Sequence, residues 1–108
     1  MLKNARIEKI GLYYNGHFNH YEIKVQLKTN GGGAILGFPV EKTRKFMSMF
    51  DHELDLENGV YMNELVGVPV VIKIDCDNEY GYGGKITAIG NILMTEDELM
   101  DIGNEGLK

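Results

Sequence analysis

Residues 6–28 read RIEKIGLYYNGHFNHYEIKVQLK, and this stretch decides the fold. Two runs with strand-like composition, 6–14 and 17–28, are separated by Asn15-Gly16. That dipeptide most readily adopts the positive φ angles of a two-residue type I′ turn. The stretch therefore predicts an antiparallel β-hairpin with Asn15-Gly16 at its turn.

Alternation of side chains indicates which face of the hairpin is buried. In the second run every other residue is apolar, so one face packs on the core and the other meets water: Tyr21, Ile23, Val25 and Leu27. The first run keeps this phase through Leu12, but Ile7 is one residue out of step. Because a β-bulge sets two residues against one, a bulge near Glu8-Lys9 would return Ile7 to the inner face, opposite Ile23.

The remaining elements complete an α+β pattern. A short third strand over 34–38 follows Gly31-Gly32-Gly33 and ends at Pro39. Strands over 68–75 and 86–93 flank a loop, and the capping box from Thr95 to Glu98 opens a short helix that ends near Gly103. Between the third strand and the strand over 68–75, apolar residues at helical spacing behind a Thr43 cap predict one main amphipathic helix: Phe46, Met49, Phe50 and Leu54.

We therefore expect an α+β fold with an antiparallel sheet of about five strands. The predicted order is β-β-β-α-β-β-α, with one main amphipathic helix and a short C-terminal helix. A further helical turn is expected over 62–66, and Gly59 is placed to end the turn before it.

Length and cysteine content bound the class of protein. A chain of 108 residues with 44% hydrophobic residues fits a single domain over 1–108, with a loose tail from about Asn104. Cys76 is the only cysteine and cannot form an internal disulfide, and the start of the chain lacks the apolar run of a secretion signal. These features predict the cytoplasm, or the host cytoplasm for a viral protein.

Charge is divided unequally along the chain. Residues 1–50 carry eight Lys or Arg against three Glu, a net charge of +5, and residues 51–108 carry thirteen acids against three Lys, a net charge of -10. Such a division can orient a protein toward a charged partner. The alternative is that the charges mix on the folded surface.

Each motif that would carry chemistry fails at a specific position. A phosphate-binding Walker loop would need glycine in place of Glu79 and a hydroxyl in place of Ile86, and Gly31-Gly32-Gly33 leads into a strand at Ala34 instead of a helix. Asp75 begins a stretch that resembles a calcium loop, but Ile86 stands where the bidentate glutamate belongs. We therefore predict no cofactor and no enzymatic activity.

Soft metal ligands and nucleophiles are equally sparse. His17 and His20 are three residues apart in a predicted strand, where they point to opposite faces, so a zinc site shared with Cys76 is not expected. Ser48 lies in the predicted helix without a nucleophile-elbow motif. No metal site and no catalytic residue are predicted.

Acidic residues with two tyrosines form the predicted partner-binding surface. Carboxylates can substitute for nucleic-acid phosphates on a basic protein, while tyrosines supply buried aromatic area. The alternative is that these tyrosines pack back on the sheet. The predicted residues are Asp51, Glu53, Asp55, Glu57, Asp75, Asp77, Glu79, Tyr80 and Tyr82.

Three segments carry a family resemblance. They are Ile7-Glu8-Lys9-Ile10, Gly31-Gly32-Gly33 leading into Leu36-Gly37-Phe38, and Glu64-Leu65-Val66-Gly67 running into Val70-Val71-Ile72-Lys73. Over residues 6–92 the chain resembles small uncharacterised proteins of bacteriophages and prophages. The resemblance implies an origin in a mobile element.

With this origin, the leading expectation is a non-catalytic binding protein that inhibits a host defence system, in the manner of an anti-CRISPR protein, by acidic surface mimicry. Its partner would be a host protein, with a nucleic-acid-binding protein as one option. Direct nucleic-acid binding and membrane binding are not expected, and a homodimer through a sheet edge is an open alternative.

Two other functions stay open. One is an accessory or structural phage protein. The other is a sponge for a signalling nucleotide, which would use the glycine-rich loops and the basic half of the chain: Arg6, Lys24, Lys28, Arg44 and Lys45.

Overall fold

The structure is a computed structural model that describes residues 1–75 and 85–102. These residues form one antiparallel sheet in the spatial order β3-β2-β1-β4-β5-β6. In chain order the strands are β1 (Leu2–Asn15), β2 (His20–Thr29), β3 (Gly32–Pro39), β4 (Pro69–Asp75), β5 (Lys85–Asn91) and β6 (Met100–Asp101). The α+β class is confirmed, with six strands in the described ranges where about five were predicted.

β1 is the strand that joins the two halves of the sheet. Its first residues, Leu2 to Arg6, pair with β4, and from Arg6 to Asn15 it pairs with β2. The register between β1 and β2 shifts between Ile7 and Lys9, which confirms the predicted bulge. The bulge lets β1 keep one apolar face on the core while it changes neighbours.

The predicted two-residue turn is wrong, because the hairpin loop has four residues, 16–19. The Asn15 side-chain oxygen accepts hydrogen bonds from the backbone N–H of His17 at 3.0 Å and of Phe18 at 3.4 Å. Asn15 therefore stays in β1 and caps the loop, and Asn19 takes the positive φ of 53°. The longer loop moves the register, so Ile7 lies opposite Leu27 and not opposite Ile23.

The core lies on one face of the sheet, called here the core face. Ile23, Val25 and Leu27 of β2 are buried there as predicted, together with Ile7 and Ile10 of β1. Two predicted core residues are exposed instead, namely Leu12 and Tyr21. Their side chains lie on the core face, but the hairpin extends beyond the residues that cover it.

The main helix is shorter than predicted. A 3-10 turn over Val40–Lys42 leads into α1 (Thr43–Ser48), and the chain then forms turns as far as Leu54. Thr43 does not act as the N-cap, since its hydroxyl donates to the Val40 carbonyl at 2.6 Å. The predicted stripe still packs on the core, because the turns leave Met49 and Phe50 buried.

Two short 3-10 helices connect α1 to β4. The first, Leu56–Asn58, is capped by Asp55 and ends at Gly59 with φ 90°, as predicted for Gly59. The second, Met62–Leu65, confirms the predicted helical turn and buries Leu65.

The C-terminal helix predicted to end near Gly103 is wrong. The capping box is present, with the Glu98 carboxylate accepting hydrogen bonds from the Thr95 backbone N–H at 2.8 Å and hydroxyl at 3.1 Å. It opens only a 3-10 helix, Glu96–Glu98, after which the chain joins the sheet as β6. Gly103 and the tail predicted to be loose from Asn104 lie outside the described residues.

This last segment covers part of the opposite face of the sheet, called here the outer face. Leu99 packs there with Val71 and Ala88 in a second small apolar cluster, with Met94 against it. Gly90 permits this close approach, because a Cβ on it would lie 2.6 Å from a Leu99 methyl. The segment lies over β4 and β5, while the outer face of β1, β2 and β3 is not covered by it and carries polar side chains together with the exposed Tyr13 and Ile35.

Candidate functional site

The first four predicted site residues form a turn-rich segment whose carboxylates differ in their contacts. Glu53 accepts a hydrogen bond from the Asn91 side chain at 2.9 Å, and Asp55 accepts from the Asn58 side chain at 2.6 Å. All four residues are exposed, and the Asp51 carboxylate lies 3.8 Å from the His52 ring. Two of these four carboxylates therefore hold local structure.

The structure does not bring this segment together with Asp75. Asn91, which holds Glu53, lies opposite Val70 at the start of β4, whereas Asp75 ends that strand. Five residues of extended strand separate the two positions by about 17 Å. The other predicted residues, Asp77, Glu79, Tyr80 and Tyr82, lie outside the described residues, as does Cys76.

A different surface stands out at the end of the β1–β2 hairpin. We call it the hairpin end, and it consists of large exposed side chains from both strands and their loop. Phe18 in the loop is 70% exposed, and Leu12 and Tyr21 in the strands are 63% and 57% exposed. The full set is Leu12, Tyr14 and Tyr21 on the core face, His17 and Phe18 in the loop, and Tyr13 on the outer face.

Contacts within the hairpin end order its rings before any partner arrives. The ring centroids of Tyr14 and Tyr21 lie 4.8 Å apart across the two strands, and those of His17 and Phe18 lie 4.7 Å apart edge to face. The Tyr14 hydroxyl donates to the Asn19 side chain, which ties the strand to the loop. Ordered rings lose less conformational entropy on binding than free ones.

Sequence reasoning placed Leu12 and Tyr21 in the core and missed the hairpin end as a surface. A signal was present, because four of the ten Phe and Tyr residues fall within residues 13–21. An aromatic-rich turn flanked by two alternating strands fits a projecting, apolar hairpin. What the alternation could not show is how far the covering elements reach along the hairpin.

A groove crosses the outer face beside the hairpin end. We call it the outer-face groove; it has a volume of about 390 Å³ and is lined by side chains from β1, β2 and β3. The Lys24 ammonium lies 4.1 Å from the centroid of the Tyr13 ring, a cation–π contact. Gly11 leaves space between Lys9 and Tyr13, since no atom lies within 4 Å of a Cβ built on it.

The five basic residues of the predicted ligand site are spread over the molecule. Lys24 lines the outer-face groove, while Arg6 and Lys28 line a separate depression of about 460 Å³. Arg6 also donates to the Gly67 carbonyl at 2.8 Å. Arg44 and Lys45 are exposed on α1, on the core side of the sheet.

The displaced pKa values in the described ranges belong to surface contacts outside the hairpin end. A hydrogen bond and the charge of Glu96, whose carboxylate lies 3.1 Å away, raise the pKa of Lys73. Hydrogen bonds from the Thr95 backbone and hydroxyl lower the pKa of Glu98. The Lys73–Glu96 pair joins β4 to the C-terminal segment, whereas Glu98 holds the turn at Thr95 within that segment.

The described residues gather no cluster of three His, Cys, Asp or Glu side chains able to hold a metal ion. Of the two histidines near the hairpin turn, His17 packs on Phe18 and His20 lies 3.3 Å from the Glu22 carboxylate. No helix within residues 1–75 and 85–102 has the length and apolarity that a membrane crossing requires. Comparison with known proteins gives no match to a family model, to a curated protein or to a solved structure.

Proposed function

We propose that the chain is a non-catalytic binding protein that recognises another protein through the hairpin end. The observation that carries the proposal is the exposure of Leu12, Tyr14 and Tyr21 on one face of a projecting hairpin, with Phe18 exposed in its loop. Contiguous exposed apolar surface of this kind marks interaction sites more often than ordinary surface. Tyrosine suits such a site, because it buries a large ring and still offers a hydroxyl for hydrogen bonding.

The resemblance to phage and prophage proteins suggests the class of partner. We propose that the chain covers a surface of a host protein and thereby inhibits a host defence system. Acidic mimicry receives less support than the hairpin end does. Glu53 and Asp55 are engaged in hydrogen bonds within the chain, and Asp75 lies at the far end of β4.

The experiment is affinity capture from a bacterial lysate with matched variants, quantified by mass spectrometry. The hairpin variant combines Phe18→Ser with Tyr21→Thr. The control variant combines Tyr61→Thr with Leu93→Ser, which removes an aromatic and an aliphatic side chain that are 81% and 80% exposed elsewhere. We expect a protein captured by the wild type to be retained by the control variant and lost by the hairpin variant.

Salt dependence separates the hairpin proposal from acidic mimicry. Apolar contacts are little affected by salt, whereas exposed ion pairs are screened over about 10 Å at 0.1 M salt. Capture through the hairpin end should therefore survive an increase to about 0.5 M salt. Equal capture by the hairpin variant, or loss of capture through Asp51→Asn with Glu57→Gln alone, would contradict the proposal.

A second candidate function is binding of a small anionic ligand, such as a signalling nucleotide, in the outer-face groove. The observation that favours it is the placement of Lys9 and Lys24 beside the Tyr13 ring in a groove of about 390 Å³, within the volume range of small-ligand sites. A ligand that binds only the folded protein raises its melting temperature. Thermal-shift assays with a panel of nucleotides test this, and a shift that Lys24→Met does not reduce would reject the groove as the site.

A further inference from the structure

β3 is an edge strand without the usual protection of an edge. It reads GGAILGFP over Gly32–Pro39 and contains no charged residue. Within the described ranges it pairs with β2 on one side, and no strand pairs with its other side. Natural sheets blunt such edges with lysines, bulges, short strands or prolines, because unpaired N–H and C=O groups invite another strand.

Other strand edges in the described part of the chain have these protections. β6 at the opposite edge has only two residues. The half of β1 that β4 does not cover begins with the bulge between Ile7 and Lys9 and carries two charged side chains there. β3 has only Pro39, at its last position. β3 is therefore the long neutral strand at the margin of the sheet; the part of β1 beyond its bulge, over 10–15, is also uncharged and is not paired by β4.

The side chains of β3 fix its conformation and leave one apolar residue unpartnered. Leu36 and Phe38 are buried on the core face and anchor the strand to the core. Ile35 points to the outer face and is 62% exposed. Its neighbours along the strand on that face, Gly33 and Gly37, bring no side chain to cover it, and the residue opposite it in β2 is the exposed, polar Gln26.

We propose that β3 pairs in antiparallel orientation with β3 of a second copy of this chain, about a two-fold axis at Ile35. Ile35 would then lie directly beside Ile35 of the partner subunit, and the two sheets would join into one. Residues paired across an antiparallel ladder share a face, so both isoleucines would bury each other on the outer face. This contact is independent of the hairpin end.

The second copy is favoured as occupant because the strand is complementary to itself. A two-fold axis brings identical surfaces together, and a strand without charge meets no like-charge repulsion from its own copy. The register follows from the glycines. A shift of two residues would place Ile35 opposite Gly33 or Gly37 of the partner subunit, where it would gain no apolar contact.

Sedimentation velocity over a range of protein concentrations tests the dimer. We expect a dimer that forms as concentration rises, with weak affinity, because one strand pair buries less area than a stable interface requires. Ile35→Lys should abolish it, since two lysines would lie side by side. Leu93→Lys adds the same charge at another exposed apolar position and should leave dimerisation unchanged.

Disulfide trapping tests the register. In a Cys76→Ser background, Ile35→Cys places a single thiol that meets its own copy only in the proposed register. We expect mild oxidation to give a covalent dimer with Ile35→Cys and little with Leu93→Cys. A wild type that stays monomeric at every concentration, a dimer that survives Ile35→Lys, or equal trapping at positions 35 and 93 would each overturn the proposal.

Discussion

Asn91 is the polar side chain that joins the sheet to the segment after α1. It is 4% exposed, and its side-chain nitrogen donates to the Met49 carbonyl at 3.0 Å and to the Glu53 carboxylate at 2.9 Å. Its side-chain oxygen accepts from the Leu93 backbone N–H at 2.9 Å. Asn91→Ala removes all three hydrogen bonds, so we expect it to lower the free energy of unfolding by loosening the contact between β5 and the segment after α1.

The size of the effect follows from how deeply each partner is buried. The Met49 carbonyl belongs to a buried residue and would lose its side-chain donor, which costs about 1–3 kcal/mol. Glu53 and Leu93 are exposed residues and can turn to water, so each lost bond there costs about 0.5 kcal/mol. We expect the free energy of unfolding to fall by about 3 kcal/mol, a large part of the 5–15 kcal/mol typical of a domain.

Urea denaturation followed by circular dichroism measures this change. With an m-value of about 2 kcal/mol/M, the midpoint should fall by about 1.5 M. Asn63→Ala is the control, because Asn63 is exposed in the 3-10 helix Met62–Leu65 and its loss should change stability by less than about 0.5 kcal/mol. Equal midpoints for the two variants would refute the reasoning.

Asn91→Asp tests the donor role of the side chain separately from its volume. The new carboxylate would face the Met49 carbonyl and the Glu53 carboxylate, both acceptors, so burial and repulsion would raise its pKa above the unfolded value. The destabilisation should therefore be full above the folded pKa and shrink as the pH falls through it. A penalty that does not change with pH would contradict this assignment.

Three further predictions concern the backbone, acid stability and the hairpin end. Gly67→Ala should cost about 1 kcal/mol in urea denaturation, because Gly67 has φ 91°, whereas Gly11→Ala, which meets no atom within 4 Å, should be neutral or stabilising. Hydrogen bonds from Thr95 lower the pKa of Glu98 in the folded protein. The stability that the Glu98 carboxylate contributes is therefore present above its unfolded pKa and is lost as the pH falls through its folded pKa. Glu98→Gln should reduce the loss of stability between about pH 7 and pH 3. Phe18→Ser should change the free energy of unfolding by less than about 0.5 kcal/mol, because the side chain is 70% exposed. A larger loss of stability would show that the ring belongs to the folded core.

Strand alternation predicted much of the sheet because it reports which face of a strand is buried. Ile7 is one residue out of phase with Leu12, which predicts a bulge at Glu8-Lys9 that returns Ile7 to the inner face. The structure has the bulge there. The register opposite Ile7 was wrong, because it depended on loop length. That length was determined by the Asn15 side chain, which caps a four-residue loop.

Helix length and the candidate site depended on tertiary packing, which local patterns do not contain. The spacing of Phe46 and Phe50 predicted a helix, yet the same residues reach the core from a short helix followed by turns. Tyr21 fits a buried strand position by alternation, and only the extent of the covering elements leaves it exposed. Charge counts likewise could not show that Glu53 bonds to Asn91.

The most direct test of the central claim is the affinity of the captured protein for purified wild type and Phe18→Ala, measured by isothermal titration calorimetry. Loss of a central aromatic anchor costs more than about 1.4 kcal/mol, so we predict at least about a tenfold weakening for Phe18→Ala. Asp51→Asn combined with Glu57→Gln should leave the affinity nearly unchanged. An unchanged affinity for Phe18→Ala, together with weakening by the two acidic substitutions, would contradict recognition through the hairpin end.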